Sequence, residues 1–318
     1  MKALIIAGIG TAPGKTTIAA GLAQMWSEKG KQVAFIKVSD AADDGDAAFM
    51  ADALGAQSRH LSISEASDRA ALAEHQGKDV VLVELAGDVA TGTRIAAALD
   101  AALLYVIGYP QQLDTTTAAA MAQGQRERWV GVVVNGVPQS PMAATKVADG
   151  LAELSGGVAI LGAVPESRAL LGFCVGDLSD YLHASYLGGA HLKDGLIESL
   201  IVGANAADPT GNFFAPRSAA AVFCRVDRPD VQLGALNHPV RCLVLTGSGH
   251  VQASILNLAE DAGVAVLRVD EPTIPVLERL NGLAPQVRFR QRAKLPVAAG
   301  LLKEQLDLGT LEAALGAA

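Results

Sequence analysis

Gly14-Lys15-Thr16-Thr17 closes a turn that carries Gly8, Gly10 and Pro13, and the turn itself follows the apolar residues 4–7. A lysine ammonium neutralises phosphate charge, a threonine hydroxyl is a hard oxygen ligand for Mg²⁺, and glycines let backbone N–H groups close around an anion. An amphipathic stretch follows at once, so the positive end of a helix would face the same anion. The segment reads as a phosphate-binding loop. Gly10, Thr11, Ala12, Pro13, Gly14, Lys15, Thr16 and Thr17 are its candidate nucleotide contacts, and Lys15 is also a candidate catalytic charge. The usual spacing puts a glycine where this chain has Ile9. The nearest glycines are Gly8 and Gly10, so the loop from Gly8 to Gly14 is one residue longer than the common form.

Residues elsewhere complete the chemistry such a loop needs. Glu84 ends the β-branched run 79–84, at the strand end where open α/β sheets present ligands. It reads as a Mg²⁺ ligand opposite Thr16, or as an exposed strand-end carboxylate. Lys37 ends a second apolar run and is a candidate second catalytic cation beside transferring phosphate, or an ordinary solvated lysine. Asp40, Asp43, Asp44 and Asp46 follow it; one of them is expected at the metal, the rest forming a solvated acidic loop. Asn135 follows Val132-Val133-Val134, where its amide could read an adenine edge or simply form a turn.

These residues need strands and helices to bring them together. Ile18, Leu22 and Met25 recur at helical spacing and Gly30 ends that helix. Apolar runs at 32–36, 79–84, 102–107, 130–134 and 158–161 read as strands buried on both faces, with helical patterns at 47–54 and 115–125 between them. Alternation up to Pro165 predicts a doubly wound parallel α/β sheet. The alternation restarts beyond 166–175, with strand-like runs at 200–202, 220–223, 241–245 and 264–269. Domains are therefore expected at 1–165 and 166–318. The second includes a helical tail in which Leu301, Leu302, Leu306 and Leu311 are docking positions. Asp227, ahead of Arg228-Pro229, reads as a helix N-cap with proline in the first turn.

The chain's 318 residues include 25 basic and 33 acidic ones, a net charge of −8 without any dense Lys/Arg run, which argues against a nucleic-acid partner. The 3 cysteines, Cys174, Cys224 and Cys242, form no Cys-x-x-Cys pair, so neither a disulfide framework nor a zinc site is expected. No apolar stretch is long enough to span a bilayer, and the N-terminal run leads straight into the loop, so the reading is a cytoplasmic protein with no membrane partner.

Gly8-Ile-Gly-Thr-Ala-Pro-Gly-Lys-Thr16 resembles the loop of dethiobiotin synthetase and its relatives, which share the longer glycine spacing. Lys37, Asp46-Ala-Ala-Phe49, Val83-Glu84-Leu-Ala-Gly87 and Val134-Asn135-Gly-Val137 occur in that family's order. The resemblance implies a P-loop NTPase domain with ATP and Mg²⁺ as cofactors. Thr16, Asp46 and Glu84 would lie at the metal, Asn135 at adenine and Lys37 near the transferred phosphate. Gly10, Val38, Leu85 and Asp88 depart from the family where its own substrate is handled, so the resemblance carries the nucleotide half of the site.

In the second half, Val175-Gly176-Asp-Leu-Ser, Ile201-Val202-Gly203-Ala204, Asp227-Arg228-Pro229-Asp230 and Leu243-Val-Leu-Thr246-Gly247 resemble the smaller α/β DRTGG domain. The two-part layout is similar to the N-terminal regulatory half of long bacterial phosphotransacetylases. It implies nucleotide-dependent regulation or sensing, with slow ATP hydrolysis secondary, and a homo-oligomer, dimer or larger. A metabolic-enzyme partner stays unspecified. An ATP-dependent ligase forming a phosphorylated carboxylate or carbamate is the alternative.

Overall fold

The N-terminal apolar run forms β1 (Lys2–Ile9), in which Leu4, Ile5, Ile6 and Ala7 are all fully buried. A strand apolar on both faces belongs in the middle of a covered sheet, and that is where β1 lies. The computed structural model describes residues 2–9, 13–41, 45–109, 128–143, 145, 147, 159–203, 214, 219–283 and 286–316. They fall into two compact units, residues 1–167 with 295–318, and residues 168–294.

In the first unit β1 leads through the loop into α1 (Lys15–Glu28), then β2 (Val33–Val38), α2 (Asp46–Leu54), β3 (Gln57–Leu61) and the short α3 (Ile63–Ala66). β4 (Val80–Leu85), α4 (Val89–Leu99), β5 (Ala102–Gly108), β6 (Trp129–Val137) and β7 (Ile160–Pro165) complete it. All strand pairings are parallel and the order is β3-β2-β4-β1-β5-β6-β7. The chain thus moves outward from β1 in one direction, returns, and continues in the other. This is the doubly wound sheet expected from the alternation, with its switch point at β1 and its ligand crevice at the carboxyl ends of the strands. On one face Ile5, Ala7, Ile36 and Val83 pack with Ile95 and Leu99 of α4. Asp88 accepts a hydrogen bond from Thr91 N at 2.8 Å and caps α4. The helix expected over 115–125 lies outside the described residues, as does Val158.

The second unit opens with α5 (Arg168–Leu171), β8 (Phe173–Cys174), α6 (Val175–Leu182), β9 (Ser185–Gly188), β10 (Leu196–Ile197) and β11 (Ser199–Val202). β12 (Ala220–Arg225), α7 (Pro229–Leu236), β13 (Val240–Thr246), α8 (Ala253–Asp261), β14 (Ala265–Val269) and α9 (Thr273–Leu280) follow. Its main sheet runs β11-β12-β13-β14-β9, parallel except for β9 at one edge. Helices α7 and α8 cover one face through Val231, Ala235, Ile255 and Ala259. Helices α6 and α9 cover the other through Leu178, Leu182, Val276 and Leu280.

Two expectations need correction. Arg228, not Asp227, is the N-cap of α7; Pro229 takes the first helical position, and Asp227 pairs with Arg225 instead. The short arginine–aspartate spacing offers a charged, bidentate partner that the capping position does not. The helical tail, expected with the second domain, belongs to the first unit. There α10 (Lys294–Gln305), α11 (Leu308–Ala314) and the link between them bury Leu302, Leu311 and Leu306 respectively. A Cβ on Gly21 of α1 would stand 2.7 Å from Leu302 Cδ1, so glycine is what admits the tail. Trp26 Nε1 donates to Glu312 at 3.2 Å, Lys29 pairs with the same carboxylate at 2.8 Å, and Asp307 N donates to Leu161 O at 2.7 Å. Among the described residues no helix is long and apolar enough to cross a membrane.

Candidate functional site

The loop's second half is organised by Gly14, which sits at φ +88 as the N-cap of α1. That left-handed conformation favours glycine, and a Cβ there would stand 2.1 Å from Asn135 Nδ2. No side chain caps the helix, and its first turn holds no acidic residue. The N–H groups of that turn therefore face outward with the positive end of the helix dipole. Asn135, on the strand next to β5, donates to Pro13 O at 3.1 Å and fastens the loop from behind. Gly10, Thr11 and Ala12, with Asp43 and Asp44 of the acidic loop, lie outside the described residues.

Thr16, Lys37, Asp46 and Glu84 meet in one cluster. Lys37 and Glu84 are register partners on adjacent strands, so their side chains leave the sheet at the same level. Asp46 opens α2, where a carboxylate suits the positive helix end. Lys37 Nζ donates to Asp46 Oδ2 and to Glu84 Oε1, each at 2.7 Å. Thr16 Oγ1 donates to Glu84 Oε1 at 2.9 Å and reaches Asp46 Oδ2 at 3.4 Å. All three charged members are buried, with Glu84 only 1% exposed.

Burial alone would lower the Lys37 ammonium, but the Glu84 charge and hydrogen bonds to both carboxylates overcome it and hold it above the ordinary lysine value. Burial pushes the Glu84 carboxyl upward, against the pull of Lys37 and Thr16. These two tendencies oppose one another. With Nζ at 2.7 Å from both carboxylates, the charged triad is the form we take for neutral pH. Lys15 is lowered, by burial first and then by the repulsion of Lys37, in part offset by Glu84 and Asp46.

Mg²⁺ prefers hard oxygen ligands and usually takes one or two carboxylates with water and phosphate oxygens. Thr16, Asp46 and Glu84 supply a hydroxyl and two carboxylates, and Glu84 Oε2 is buried without a hydrogen-bond partner among the described residues. The donor set fits that ion. Among the described residues no group of three His, Cys, Asp or Glu side chains that could hold a metal occurs anywhere.

One neighbouring feature escaped sequence reasoning. Ser39, just past β2, lies 3.1 Å by its Oγ from His60 Nε2, and His60 is the register partner of Lys37 on β3. The signal was faint because Gln57-Ser-Arg-His-Leu61 is too polar to read as a strand. In the second unit, a cavity of about 280 Å³ is lined by Asp177, Tyr181, Arg288 and Gln291 among others.

Fold and site together define an α/β protein with a phosphate-binding loop at the switch point of a doubly wound sheet, followed by a second α/β unit. Residues 4–171, just over half of the sequence, match the CobQ/CobB/MinD/ParA nucleotide binding domain, and the chain belongs to that family. Residues 177–283 match the DRTGG domain.

Several solved structures are similar. The MinC:MinD cell division protein complex of Aquifex aeolicus is 16% identical over 54% of this chain and 84% of that one, with a TM-score of 0.40. The signal recognition particle receptor FtsY of Elizabethkingia anophelis is 17% identical over 52% and 59%, at 0.41. The CBS and DRTGG domains of the regulatory region of Clostridium perfringens pyrophosphatase, solved with the activator diadenosine tetraphosphate, are 16% identical over 41% and 50%, at 0.30. This chain thus spans half of that pyrophosphatase region and 59% of FtsY. At these scores the likenesses carry no functional argument.

Proposed function

We propose that this chain is a cytoplasmic ATP- and Mg²⁺-binding regulatory protein, in which the nucleotide state of the first unit is passed to the DRTGG domain. The observation that carries this reading is the convergence of Thr16, Lys37, Asp46 and Glu84 beside the uncapped first turn of α1. In it, Lys15 and the N–H groups of that turn bind the phosphates, with Pro13, Thr17 and the loop residues Gly10, Thr11 and Ala12. Thr16, Asp46 and Glu84 hold Mg²⁺, which would supply neutralisation of phosphate charge. Asn135 lies near the base while fastening Pro13. Lys37 approaches the terminal phosphate. Hydrolysis, where it occurs, is slow. The reading places the protein with dethiobiotin-synthetase-like domains and with the regulatory half of phosphotransacetylases, as a homo-oligomer.

The test is isothermal titration of the full chain with ATP and ADP in the presence of Mg²⁺, paired with hydrogen exchange over residues 177–283. Lys15→Ala should weaken binding by at least about tenfold, since a charged hydrogen-bonding partner of the phosphates is lost. Nucleotide should also change exchange in the second unit. Absence of binding, or indifference to Lys15→Ala, would remove the reading.

The second reading, an ATP-dependent ligase acting on a carboxylate or carbamate, draws on Lys37 and Glu84, a cation and a carboxylate paired at the strand ends beside the loop. Phosphate release that depends strictly on an added organic acid or amine would raise it above the first.

A further inference from the structure

Beside the loop, Lys15 and Lys37 face Asp46 and Glu84. The two carboxylate oxygens that Thr16 Oγ1 approaches, Glu84 Oε1 at 2.9 Å and Asp46 Oδ2 at 3.4 Å, are the same two that Lys37 Nζ holds at 2.7 Å. A divalent cation drawing on Thr16, Asp46 and Glu84 would share these carboxylates with Lys37, and it would repel the ammonium bound to them. Glu84 Oε2 is buried without a hydrogen-bond partner among the described residues, but one oxygen is too few for an ion that demands near-octahedral oxygen ligation. Lys37 can leave the carboxylates only if another anion receives it, because a buried ammonium without a partner is costly.

We propose that Lys37 is the resident counter-cation of the metal-free site, and that a divalent cation enters only when a nucleotide polyphosphate draws Lys37 off Asp46 and Glu84. The proposal rests on the reading of this cluster as a metal–nucleotide site. Phosphate oxygens give the ammonium new acceptors, and the carboxylates it vacates become metal ligands. Metal and nucleotide then bind weakly apart and tightly together, and by linkage each raises the other's affinity by the same factor. The device prevents the site from charging with metal when no nucleotide is present, so that the loaded state reports nucleotide rather than metal supply.

The experiment is a Mn²⁺ titration of the full chain followed by electron paramagnetic resonance, without and with ATP, together with thermal melting. The wild type should bind Mn²⁺ at least about tenfold more weakly without ATP than with it. Lys37→Met should bind Mn²⁺ in the absence of ATP at least about tenfold more tightly than the wild type, since Asp46 and Glu84 lose the ammonium that bridges them. Its melting temperature should rise with Mn²⁺ alone. Lys37→Arg keeps the positive charge and should keep nucleotide-free Mn²⁺ binding weak. The proposal is overturned if the wild type binds Mn²⁺ equally well with and without ATP, a result that needs no variant to fold. An unchanged nucleotide-free affinity in Lys37→Met would also overturn it. ATP binding that ignores metal defeats this proposal alone, whereas no ATP binding at any Mn²⁺ concentration defeats the underlying reading as well.

Discussion

Lys37 on β2 and Glu84 on β4 stand opposite each other in the parallel ladder, and their side chains meet at 2.7 Å with almost no exposure. A buried ion pair is a poor stabiliser compared with apolar residues of the same size, because desolvation offsets most of the attraction. Placing one at the carboxyl end of the two strands beside the phosphate loop therefore needs a chemical reason. A cation and carboxylates that can exchange partners supply one.

Glu84→Gln keeps the size of the side chain and one hydrogen bond while removing the charge. Lys37 would retain Asp46 as its partner. We expect the first unit to lose about 1–3 kcal/mol, less than the full cost of stripping a buried charge of its only partner. Urea denaturation of the variant measures this. A stability equal to wild type would show that the Lys37–Asp46 contact alone sustains the cluster.

Gly14→Ala combines two penalties, a side chain at φ +88 and a Cβ 2.1 Å from Asn135 Nδ2. The backbone share is about 1–2 kcal/mol. Gly14→Ala with Asn135→Ala should regain the steric part only, and nucleotide titration should show that neither variant recovers wild-type affinity. Full recovery in the double variant would mean that the left-handed turn does not matter to the loop.

Much of the first unit was readable from residue order, and the reasons are physical. Continuous apolar runs such as 79–84 and 130–134 signal strands covered on both faces, and their alternation with helical patterns fixes a parallel sheet. Thr16, Asp46 and Glu84 were expected together at one metal with Lys37 nearby, and the structure brings the four side chains into one cluster. That Lys37 would bridge both carboxylates was beyond reach, because spacing gives the strand end and not the direction of a long flexible side chain. The tail's allegiance was illegible for a related reason. Leu302, Leu306 and Leu311 announce an apolar stretch but not its partners, which include Gly21 of α1 for Leu302 and Gly162 of β7 for Leu306. The Asp227 expectation failed because local sequence cannot say whether a carboxylate will turn toward a helix end or toward Arg225.

That allegiance gives a direct test. Leu302 is fully buried and faces Gly21. Leu302→Ala should destabilise the first unit by about 2–5 kcal/mol. Fluorescence of Trp26, whose Nε1 bonds Glu312, would report the loss, while hydrogen exchange in residues 177–283 should stay at wild-type rates. Faster exchange in the second unit with an intact first would contradict the assignment of the tail.

Lys294 supplies a pH-dependent prediction away from the loop. Burial pushes its ammonium down to about 8 from 10.5, with Asp177 and Cys174 pulling the other way, and Nζ lies 5.9 Å from the centre of the Phe289 ring. In the unfolded chain the ordinary value of 10.5 applies. Below about pH 8 both states hold the proton and the folded state carries the whole cost of the buried charge. Between about 8 and 10.5 the folded lysine is neutral while the unfolded one still binds a proton, so stability rises with pH. Lys294→Met should therefore be more stable than wild type near neutral pH, by up to about 3 kcal/mol, with the advantage shrinking as the unfolded-state value is approached. Paired denaturation curves of the two proteins across this range cancel the titration of every other group. A difference that stays constant with pH would mean that Lys294 titrates alike in the folded and unfolded chains, and that its burial carries no charge penalty.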